Sequence, residues 1–263
     1  MSTFVIGDVH GRREQLRRLV GMLPRDPARD TLVLLGDLID RGDDVPGVVR
    51  DVLALVRDPA AGHVVVLRGN HEQMLLDFMD TGAPLWLHPA CGGDDTFEQY
   101  AGFALTEHMR ADCAKARRKI TEAVPAEHVE FFRSLPLYHE DDYAIYVHAG
   151  LDCTKHPCET EARLLLWTRD SYFYKHYHGK PCVFGHTPTP LLPLLGRLGR
   201  HGIYVAHSAI GIDTGYSDAS PLTCLRLPEF TLYQTYADGR ADTHQFTSFI
   251  PEHLRAFRKN GHH

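Results

Sequence analysis

Residues 4–11 read FVIGDVHG, residues 31–42 read TLVLLGDLIDRG, and residues 64–72 read VVVLRGNHE. Each stretch begins with a branched apolar run of the length expected for a buried strand. Each run ends in a glycine that is followed by a side chain carrying a carboxylate or amide oxygen. We therefore predict three strands with polar side chains at their carboxyl ends.

The segments between these strands have helical periodicity. Residues 13–23 place four apolar side chains on one face, and residues 45–56 carry a similar apolar face. A third helix is predicted at 72–79. Strands that alternate with helices indicate an α/β sheet, whose functional groups collect at the carboxyl ends of the strands.

The second half of the chain is rich in short apolar runs separated by turn residues, which predicts further strands. These runs lie at 143–147, 182–184, 203–206, 210–213, 222–227 and 230–236. Residues 81–125 have a different pattern, because Gly, Pro, aromatic and charged residues interrupt short helical stretches. We predict that this segment is a mostly helical insertion over the site formed by the polar residues at the strand ends. A second sheet stacked on the first is more economical than a separate unit, so we expect a single domain across residues 1–263.

The composition excludes several classes of protein. A formal net charge of -6 over 263 residues leaves no basic excess, so we do not expect a nucleic-acid partner. No apolar window is long enough to span a bilayer, and the N-terminus lacks the pattern of a signal peptide. We therefore expect a cytoplasmic protein without a membrane partner.

The cysteines are scattered at irregular spacings, which favours free thiols in a reducing compartment over a disulfide framework. Cys153, His156 and Cys158 lie close enough in sequence to suggest a site for a soft metal. Their pattern is loose and lacks an evident fourth ligand, so free thiols remain our expectation.

Five short motifs stand in order along the chain. They are GDVHG at 7–11, GDLIDRG at 36–42, RGNHE at 68–72, HAG at 148–150 and GHT at 185–187. A single Asp or Asn after a strand is often only a helix cap. Together, however, the motifs place oxygen donors and imidazoles at strand ends, where glycines permit tight turns. Mixed Asp, Asn and His donors suit Mn, Fe or Zn better than Ca, and their number favours two metals over one.

The motifs, their order and their spacing resemble those of the calcineurin-like metallophosphoesterases, in particular the bacterial branch of the serine/threonine phosphoprotein phosphatases. The resemblance covers essentially the whole chain. It implies a four-layer αββα sandwich, in which two mixed β-sheets are flanked by helices. It also implies two divalent metal ions, for which Mn is the first expectation and Fe, Zn or Mg are alternatives.

Matching the motif positions implies the metal ligands. Asp37 would bridge the two ions. The remaining ligands fall into two sets, Asp8 and His10 on one ion and Asn70, His148 and His186 on the other. Two cations about 3.5–4 Å apart would clamp a phosphate and lower the pKa of a bound water to roughly 7.

The same matching implies the residues that act on the substrate. His71 would be the general acid that protonates the leaving alkoxide, with Asp40 orienting it and holding it as imidazolium. Arg41 and Arg68 lie inside the motifs and carry planar forks that match the oxygens of a phosphoryl group. Arg169, within LLLWTRD, resembles a further phosphate-binding arginine of the family.

The substrate remains open between two relatives that share this apparatus, the phosphoprotein phosphatases and the symmetrical diadenosine tetraphosphate hydrolases. WLHPACGGDDTFEQYAG at 86–102, LLWTRD at 165–170 and KPCVFGHTP at 180–188 resemble the phosphatase branch. GIDTGYSDASPLTCLRL at 211–227 also resembles the closing segment of the dinucleotide hydrolases. We expect a phosphoprotein or phosphopeptide substrate, with a dinucleoside polyphosphate as the alternative. A binding module with a dead site is disfavoured, because every matched position is chemically intact.

Overall fold

The computed structural model describes residues 1–199, 202–245 and 250–254. The strands are, in chain order, β1 (Thr3–Ile6), β2 (Thr31–Leu34), β3 (His63–Val66), β4 (Tyr138–Glu140), β5 (Ile145–Val147), β6 (Cys182–Phe184), β7 (Arg197–Leu198), β8 (Tyr204–Ala206), β9 (Ala209–Gly211), β10 (Leu222–Leu227), β11 (Thr231–Thr235) and β12 (Ala241–Gln245). The α-helices are α1 (Arg13–Met22), α2 (Val45–Arg57), α3 (Asn70–Thr81), α4 (Gly93–Ala101), α5 (Glu107–Ala111), α6 (Cys113–Ala123), α7 (Ala126–Ser134), α8 (Ala162–Trp167) and α9 (Ser171–His176).

The strands form two mixed sheets. The first has the order β12-β11-β10-β1-β2-β3, and the second has the order β4-β5-β6-β9-β8-β7. In the first sheet β1, β2 and β3 are parallel, and in the second β5, β6 and β9 are parallel. Antiparallel strands extend both sheets beyond these parallel centres.

The two sheets pack face to face, and alternation along each strand decides which side chains lie between them. In β1, Val5 points into the layer between the sheets, whereas Phe4 and Ile6 point to the outer face. In β6, Val183 lies between the sheets and Phe184 on the opposite outer face. The apolar runs of β1, β2 and β6 are therefore buried on both faces, whereas Val64 and Val65 of the edge strand β3 are only partly buried.

Helices cover both outer faces. The helices from α1 to α7 contribute buried side chains to the core on the outer face of the first sheet, among them Leu19, Phe78 and Phe132. Helices α8 and α9 do the same for the second sheet through Leu165 and Phe173. The four layers give the αββα sandwich that the sequence resemblance implied.

The register of the parallel strands creates one functional edge. Ile6 pairs with Leu34 and Leu34 with Val66, so β1, β2 and β3 end level with one another. Parallel strands that end level bring the loops after them to the same edge of the sheet. The loops after β5, β6 and β9 of the second sheet reach this edge as well, as the contacts below show.

Most predicted elements are present, but some details differ, and helices α7, α8 and α9 lie outside the predicted helical segments. Helix α3 begins at Asn70, two residues before the predicted start, so Asn70 and His71 lie in its first turn. Strands β4, β7 and β12 were not predicted, and both β4 and β12 are polar, partly exposed edge strands without an apolar run. Residues 81–125 contain α4, α5 and α6, as the predicted helical insertion requires. The assignment of the whole chain to one domain stays a prediction.

Two further predictions concern the state of the cysteines and the presence of membrane-spanning helices. All six cysteines are free thiols. Within the described ranges, none of the helices combines the length and the apolar character needed to cross a bilayer.

Candidate metal centre

The polar side chains that follow the parallel strands collect at one edge of the paired sheets and are almost completely buried. They are Asp8, His10, Asp37, Asn70, His148 and His186. Each is at most 5% exposed. Buried polar groups at this density need partners or a ligand.

Asp37 lies at the centre of this group. Its Oδ2 atom is 3.7 Å from His10 Nε2 and 3.8 Å from His71 Nε2. Its Oδ1 atom is 3.4 Å from His148 Nε2. In two overlapping trios, His10 with Asp37 and His71, and Asp37 with His148 and His186, the candidate ligand atoms all lie within 4.8 Å of one another. A carboxylate shared by two such trios has the position that a bridge between two cations requires.

Asn70 joins the second trio through its side-chain oxygen. Asn70 Oδ1 is 2.9 Å from His148 Nε2 and 2.7 Å from His186 Nδ1. His186 Nε2 is buried and has no hydrogen-bond partner among the residues that the structure describes. An imidazole within reach of an amide oxygen and a carboxylate fits a divalent transition metal, which accepts all three kinds of donor.

Backbone carbonyls fix the orientation of two imidazoles. His10 Nδ1 donates to the carbonyl of Ile39 at 2.9 Å, and His148 Nδ1 donates to that of Leu35 at 2.9 Å. With Nδ1 protonated, Nε2 keeps its lone pair and faces Asp37. This is the second contact that metal-binding histidines usually make.

Burial keeps these imidazoles neutral. It lowers the pKa of His10 and of His148, and lowers the pKa of His186 to about 2. For His10 the neighbouring His71 and Arg41 lower the pKa further. Neutral imidazole is the form that can bind a metal ion, so the site holds its ligands ready at neutral pH.

Asp8 lies beside the trios without being part of either. Both of its carboxylate oxygens accept the backbone N–H of His186, at 3.1 and 3.0 Å. The backbone approaches closely because residue 185 is glycine, and a Cβ atom there would lie 2.1 Å from Asp8 Oδ1. Burial, then Asp213 and Asp37, raise the Asp8 pKa well above its usual range. A cation beside these carboxylates would relieve this repulsion.

His71, a member of the first trio, forms a buried pair with Asp40. Asp40 Oδ2 is 2.6 Å from His71 Nδ1, and Asp40 is completely buried. The other oxygen, Oδ1, accepts Thr96 Oγ1 at 2.6 Å and Trp86 Nε1 at 3.1 Å. Burial lowers the pKa of His71, but Asp37 and the hydrogen bond to Asp40 outweigh it and raise the pKa above its usual value. His71 is therefore protonated more readily than an ordinary imidazole.

Arg41 reaches the same place from the loop after β2. Its Nη1 atom donates to His10 Nε2, and its guanidinium lies 4.7 Å from the centre of the Tyr216 ring. Its side chain also packs against Gly92, where a Cβ atom would lie 2.4 Å from Arg41 Cγ. Tyr216 was not singled out from the sequence, although it lies within the segment 211–227 that resembles the closing segment of the dinucleotide hydrolases.

Arg169 approaches from the other side. Its Nε atom donates to Thr187 Oγ1 at 3.3 Å, next to His186 in the chain. It lines a groove of about 400 Å³ together with Arg163, Trp167 and Lys155. The Trp167 and His186 rings are 6.4 Å apart, so the groove leads to the cluster.

The structure does not bring Arg68 into the cluster. Its guanidinium donates to the carbonyls of Phe132 and Arg133 at 3.0 and 2.6 Å and to Gln73 Oε1 at 3.0 Å. These contacts tie Arg68 to the end of α7. A part in phosphate binding stays a prediction for this residue.

Glu72 is a structural carboxylate that the sequence analysis missed, although it closes the RGNHE motif. It is completely buried, and its oxygens accept the backbone N–H groups of Asp37 at 3.0 Å, Leu38 at 2.7 Å, Ile39 at 3.3 Å and Gly69 at 2.8 Å. Burial and the charge of Asp37 raise the Glu72 pKa to about 7. One side chain thus connects the loops after β2 and β3.

The site loops hold an unusual backbone conformation. His10, Asp37, Asp40, Arg41 and His186 all have positive φ angles, between 45° and 70°. This left-handed region is disfavoured for residues with a Cβ atom and costs about 1–3 kcal/mol for each such residue. Strain of this kind concentrates at functional sites because surrounding contacts hold it in place.

Comparison with known sequences identifies a family for most of the chain. The sequence model of the calcineurin-like phosphoesterases matches residues 1–211. A symmetrical bis(5'-nucleosyl)-tetraphosphatase from Dechloromonas aromatica is 32% identical over 151 residues, which cover 57% of this chain and 44% of the relative. Serine/threonine-protein phosphatase 1 from Salmonella typhimurium is 42% identical over 92 residues, which cover 35% of this chain and 38% of the relative. The match therefore spans less than half the length of either relative.

A third relative aligns over its whole length. The asymmetrical bis(5'-nucleosyl)-tetraphosphatase PrpE from Oceanobacillus iheyensis is 27% identical, with 95% of this chain and 98% of the relative covered. Among solved structures, a candidate diadenosine tetraphosphatase superposes with a TM-score of 0.57 at 19% identity, covering 92% of both chains. A cold-active protein tyrosine phosphatase superposes with a TM-score of 0.56 at 17% identity, covering 95% of this chain and 80% of that chain. At these identities the structural similarity shows the fold alone.

Proposed function

The chain belongs to the calcineurin-like phosphoesterases, which are metal-dependent hydrolases, and from this membership we propose that it is a serine/threonine phosphoprotein phosphatase. The buried pair of His71 and Asp40, 2.6 Å apart, supports a leaving alkoxide, but the dinucleotide hydrolases share this pair, so the preference for a phosphoprotein rests on the resemblance of residues 86–102, 165–170 and 180–188 to the phosphatase branch. A phosphoserine or phosphothreonine ester leaves as a strongly basic alkoxide, which needs a proton in the transition state. A dinucleoside polyphosphate leaves as a nucleotide phosphate, a much weaker base that needs no such acid.

We assign the metal ligands to the residues of the two trios other than His71, together with Asp8 and Asn70. Asp37 would bridge two divalent ions, and the other ligands would be Asp8, His10, Asn70, His148 and His186. Bound there, the ions would supply positive charge for the phosphoryl oxygens and make a water molecule nucleophilic at neutral pH. Imidazole, amide and carboxylate donors favour Mn first, with Fe, Zn or Mg as alternatives.

The remaining residues would bind and protonate the substrate. Arg41 and Arg169 approach the cluster from opposite sides, and their guanidinium groups would hold phosphoryl oxygens. The proton would pass from His71 Nε2 to the leaving oxygen, because Nδ1 is occupied by Asp40. Asp40 would stabilise the imidazolium that His71 must be before the transfer.

A dinucleoside tetraphosphate hydrolase is the second candidate, and two observations favour it. The relative that aligns over nearly its whole length is named as an asymmetrical tetraphosphatase, and the first relative as a symmetrical one. In addition, Arg163 and Arg169 line the same groove, and neither has a carboxylate within 4.0 Å among the residues described. Guanidinium groups that form no ion pair could hold a polyphosphate chain, although Asp152, Glu161 and Asp170 also line the groove.

The deciding experiment compares substrates on one preparation. Metal-stripped protein is reloaded with Mn and assayed with a phosphothreonine peptide and with diadenosine tetraphosphate, using stripped protein and an Asp37→Asn variant as blanks. Faster release of phosphate from the peptide supports the proposal. Faster cleavage of the dinucleotide replaces it, and the products, two ADP or ATP with AMP, distinguish the symmetrical from the asymmetrical reaction. If the reloaded protein binds Mn but turns over neither these substrates nor an aryl phosphate, the binding-module alternative takes their place.

A further inference from the structure

A second cluster of reactive side chains lies outside the metal centre, on the surface segment between His148 and α8. Cys158 is exposed, and its Sγ atom is 3.0 Å from Nδ1 of His156. The other ring nitrogen of His156, Nε2, is 2.7 Å from Glu140 Oε2. A thiol, an imidazole and a carboxylate thus stand in line, as in sites where a base activates a nucleophile.

The hydrogen bonds indicate which ring nitrogen of His156 carries the proton. Nδ1 accepts the backbone N–H of Cys158 at 3.3 Å, and it therefore holds a lone pair. Nε2 then carries the proton and donates to Glu140. The lone pair of Nδ1 faces the Cys158 thiol, so this imidazole can take the thiol proton directly.

Strand β4 holds the imidazole in place. Glu140 is fixed by Lys180 Nζ, 3.0 Å from its Oε1 atom. Tyr138, two residues earlier on β4, packs against His156 with the ring planes at 88° and the centres 6.0 Å apart. Burial opposes ionisation of Glu140, but Lys180 and His156 outweigh it and lower the Glu140 pKa. The carboxylate is therefore ready to stabilise an imidazolium.

The partly exposed cysteines elsewhere lack such a base. Cys91 and Cys113 donate to the carbonyls of Leu85 and Arg110, each at 3.4 Å. Cys153 faces the carbonyl of Phe173 at 3.9 Å, and it does not join His156 and Cys158 in the soft metal site that their spacing suggested. A carbonyl oxygen accepts a hydrogen bond but does not remove the proton, so none of these thiols has a basic side chain as a hydrogen-bond partner in the part of the chain that the structure describes.

We propose that Cys158, His156 and Glu140 form a reactive-thiol site that exchanges with low-molecular-weight disulfides. His156 Nδ1 takes the proton from Cys158 Sγ, and the thiolate attacks one sulfur of the disulfide. The Cys158–sulfur bond forms as the disulfide bond breaks, and the departing thiolate takes the proton back from His156. The products are a mixed disulfide on Cys158 and one free small thiol. This site is independent of the proposed phosphatase activity.

The test uses the full chain with Cys91, Cys113 and Cys153 changed to Ser. The cysteines that remain are then Cys158 and two buried ones. The probe is 5,5'-dithiobis(2-nitrobenzoate), itself an aromatic disulfide, and intact mass identifies the modified protein. We expect reaction at pH 6.5 to be at least about tenfold faster than in a protein that retains Cys113 instead of Cys158, because only Cys158 has a base. Equal rates at this pH would overturn the proposal.

A second variant separates activation from mere exposure. His156→Gln is expected to lower the rate at pH 6.5 by about tenfold or more and to leave the rate near pH 9 almost unchanged, because ordinary thiols ionise unaided there. His176→Gln, an exposed histidine on α9, serves as the matched control and should leave the whole pH profile unchanged. A His156→Gln profile that coincides with that of the parent would contradict the assignment. The circular dichroism spectrum checks that His156→Gln is folded. If this variant does not fold, the dependence of the parent protein's reaction rate on pH decides by itself whether Cys158 is activated.

Discussion

The role of His71 predicts a loss of activity that depends on the leaving group. In a His71→Asn variant the proton donor disappears, while the backbone N–H of residue 71, which donates to Asp37 Oδ1 at 3.0 Å, remains. The ligands around Asp37 should therefore still bind metal. Turnover of a phosphothreonine peptide should fall steeply, and turnover of an aryl phosphate should fall far less.

The expected size follows from the surroundings of the pair. General acid catalysis contributes roughly 10²–10⁴-fold, or about 3–5 kcal/mol of transition-state stabilisation. Because His71 is only 4% exposed and Asp40 is completely buried, bulk water cannot easily replace the acid. We therefore expect a loss of about 10³-fold or more in kcat on the peptide. On p-nitrophenyl phosphate, whose leaving group is a stable anion, the loss should be below about tenfold.

The assay compares kcat for both substrates at one Mn concentration, with bound metal measured on each variant. The kcat of Asp40→Asn on the peptide should lie between the values of the wild type and of His71→Asn, because this substitution removes only the partner of the acid. His128→Asn is the control for removal of a buried histidine far from the cluster, and it should leave the ratio of the two rates unchanged. An equal loss on both substrates at full metal content would refute the general-acid assignment and, with it, the argument for an alkyl phosphate substrate.

Three further predictions test other parts of the structure. Asp37→Asn should lower both Mn content and turnover, because it removes the charge shared by the two trios; metal analysis after gel filtration checks this, and full occupancy would contradict the bridging position. Trp86→Phe removes one hydrogen bond to Asp40 while keeping an aromatic ring, so kcat on the phosphothreonine peptide should fall by about tenfold with KM unchanged, and a rise in KM alone would argue against it. Hydrogen bonds from Arg13, with a further contribution from Arg17, lower the Asp51 pKa to about 2. The ionised Asp51 therefore stabilises the folded state above about pH 4, the pKa of Asp in the unfolded chain, and this stabilisation disappears as the pH falls towards 2. Asp51→Asn should therefore lower the free energy of unfolding by about 1 kcal/mol at pH 7 and by progressively less below pH 4, which urea titrations at several pH values can measure.

The sequence predicts the parallel strands well because each carries an unbroken apolar run, which in the central strands is buried on both faces. Strands β4 and β12 could not be found in this way, since an edge strand is defined by its neighbour in the sheet and needs no apolar pattern of its own. The start of α3 was placed two residues late because Asn70 and His71 were assigned only as site residues. Glu72 at the third helical position accepts the N–H of Gly69, which begins the helix earlier.

The residues of the candidate site also fall into those that the sequence predicts and those that it does not. The motif residues lie within reach of one another because short glycine-rich loops after level strands leave them little freedom. The contacts of Trp86 and Thr96 with Asp40 connect positions 46 and 56 residues apart. No local pattern in the sequence encodes such a distance. Arg68 illustrates a different limit of motif matching. A residue that lies inside a motif can still turn its side chain towards a neighbouring helix.

The left-handed residues of the site loops have a consequence for heat resistance. Loops that carry backbone strain open at a lower free energy than the sheets that support them. On warming, catalytic turnover should therefore disappear while both sheets still give their full circular dichroism signal. Such inactivation precedes aggregation and exposes little of the core between the sheets. Activity lost in this interval should return on cooling, so that brief overheating suspends the enzyme without destroying it.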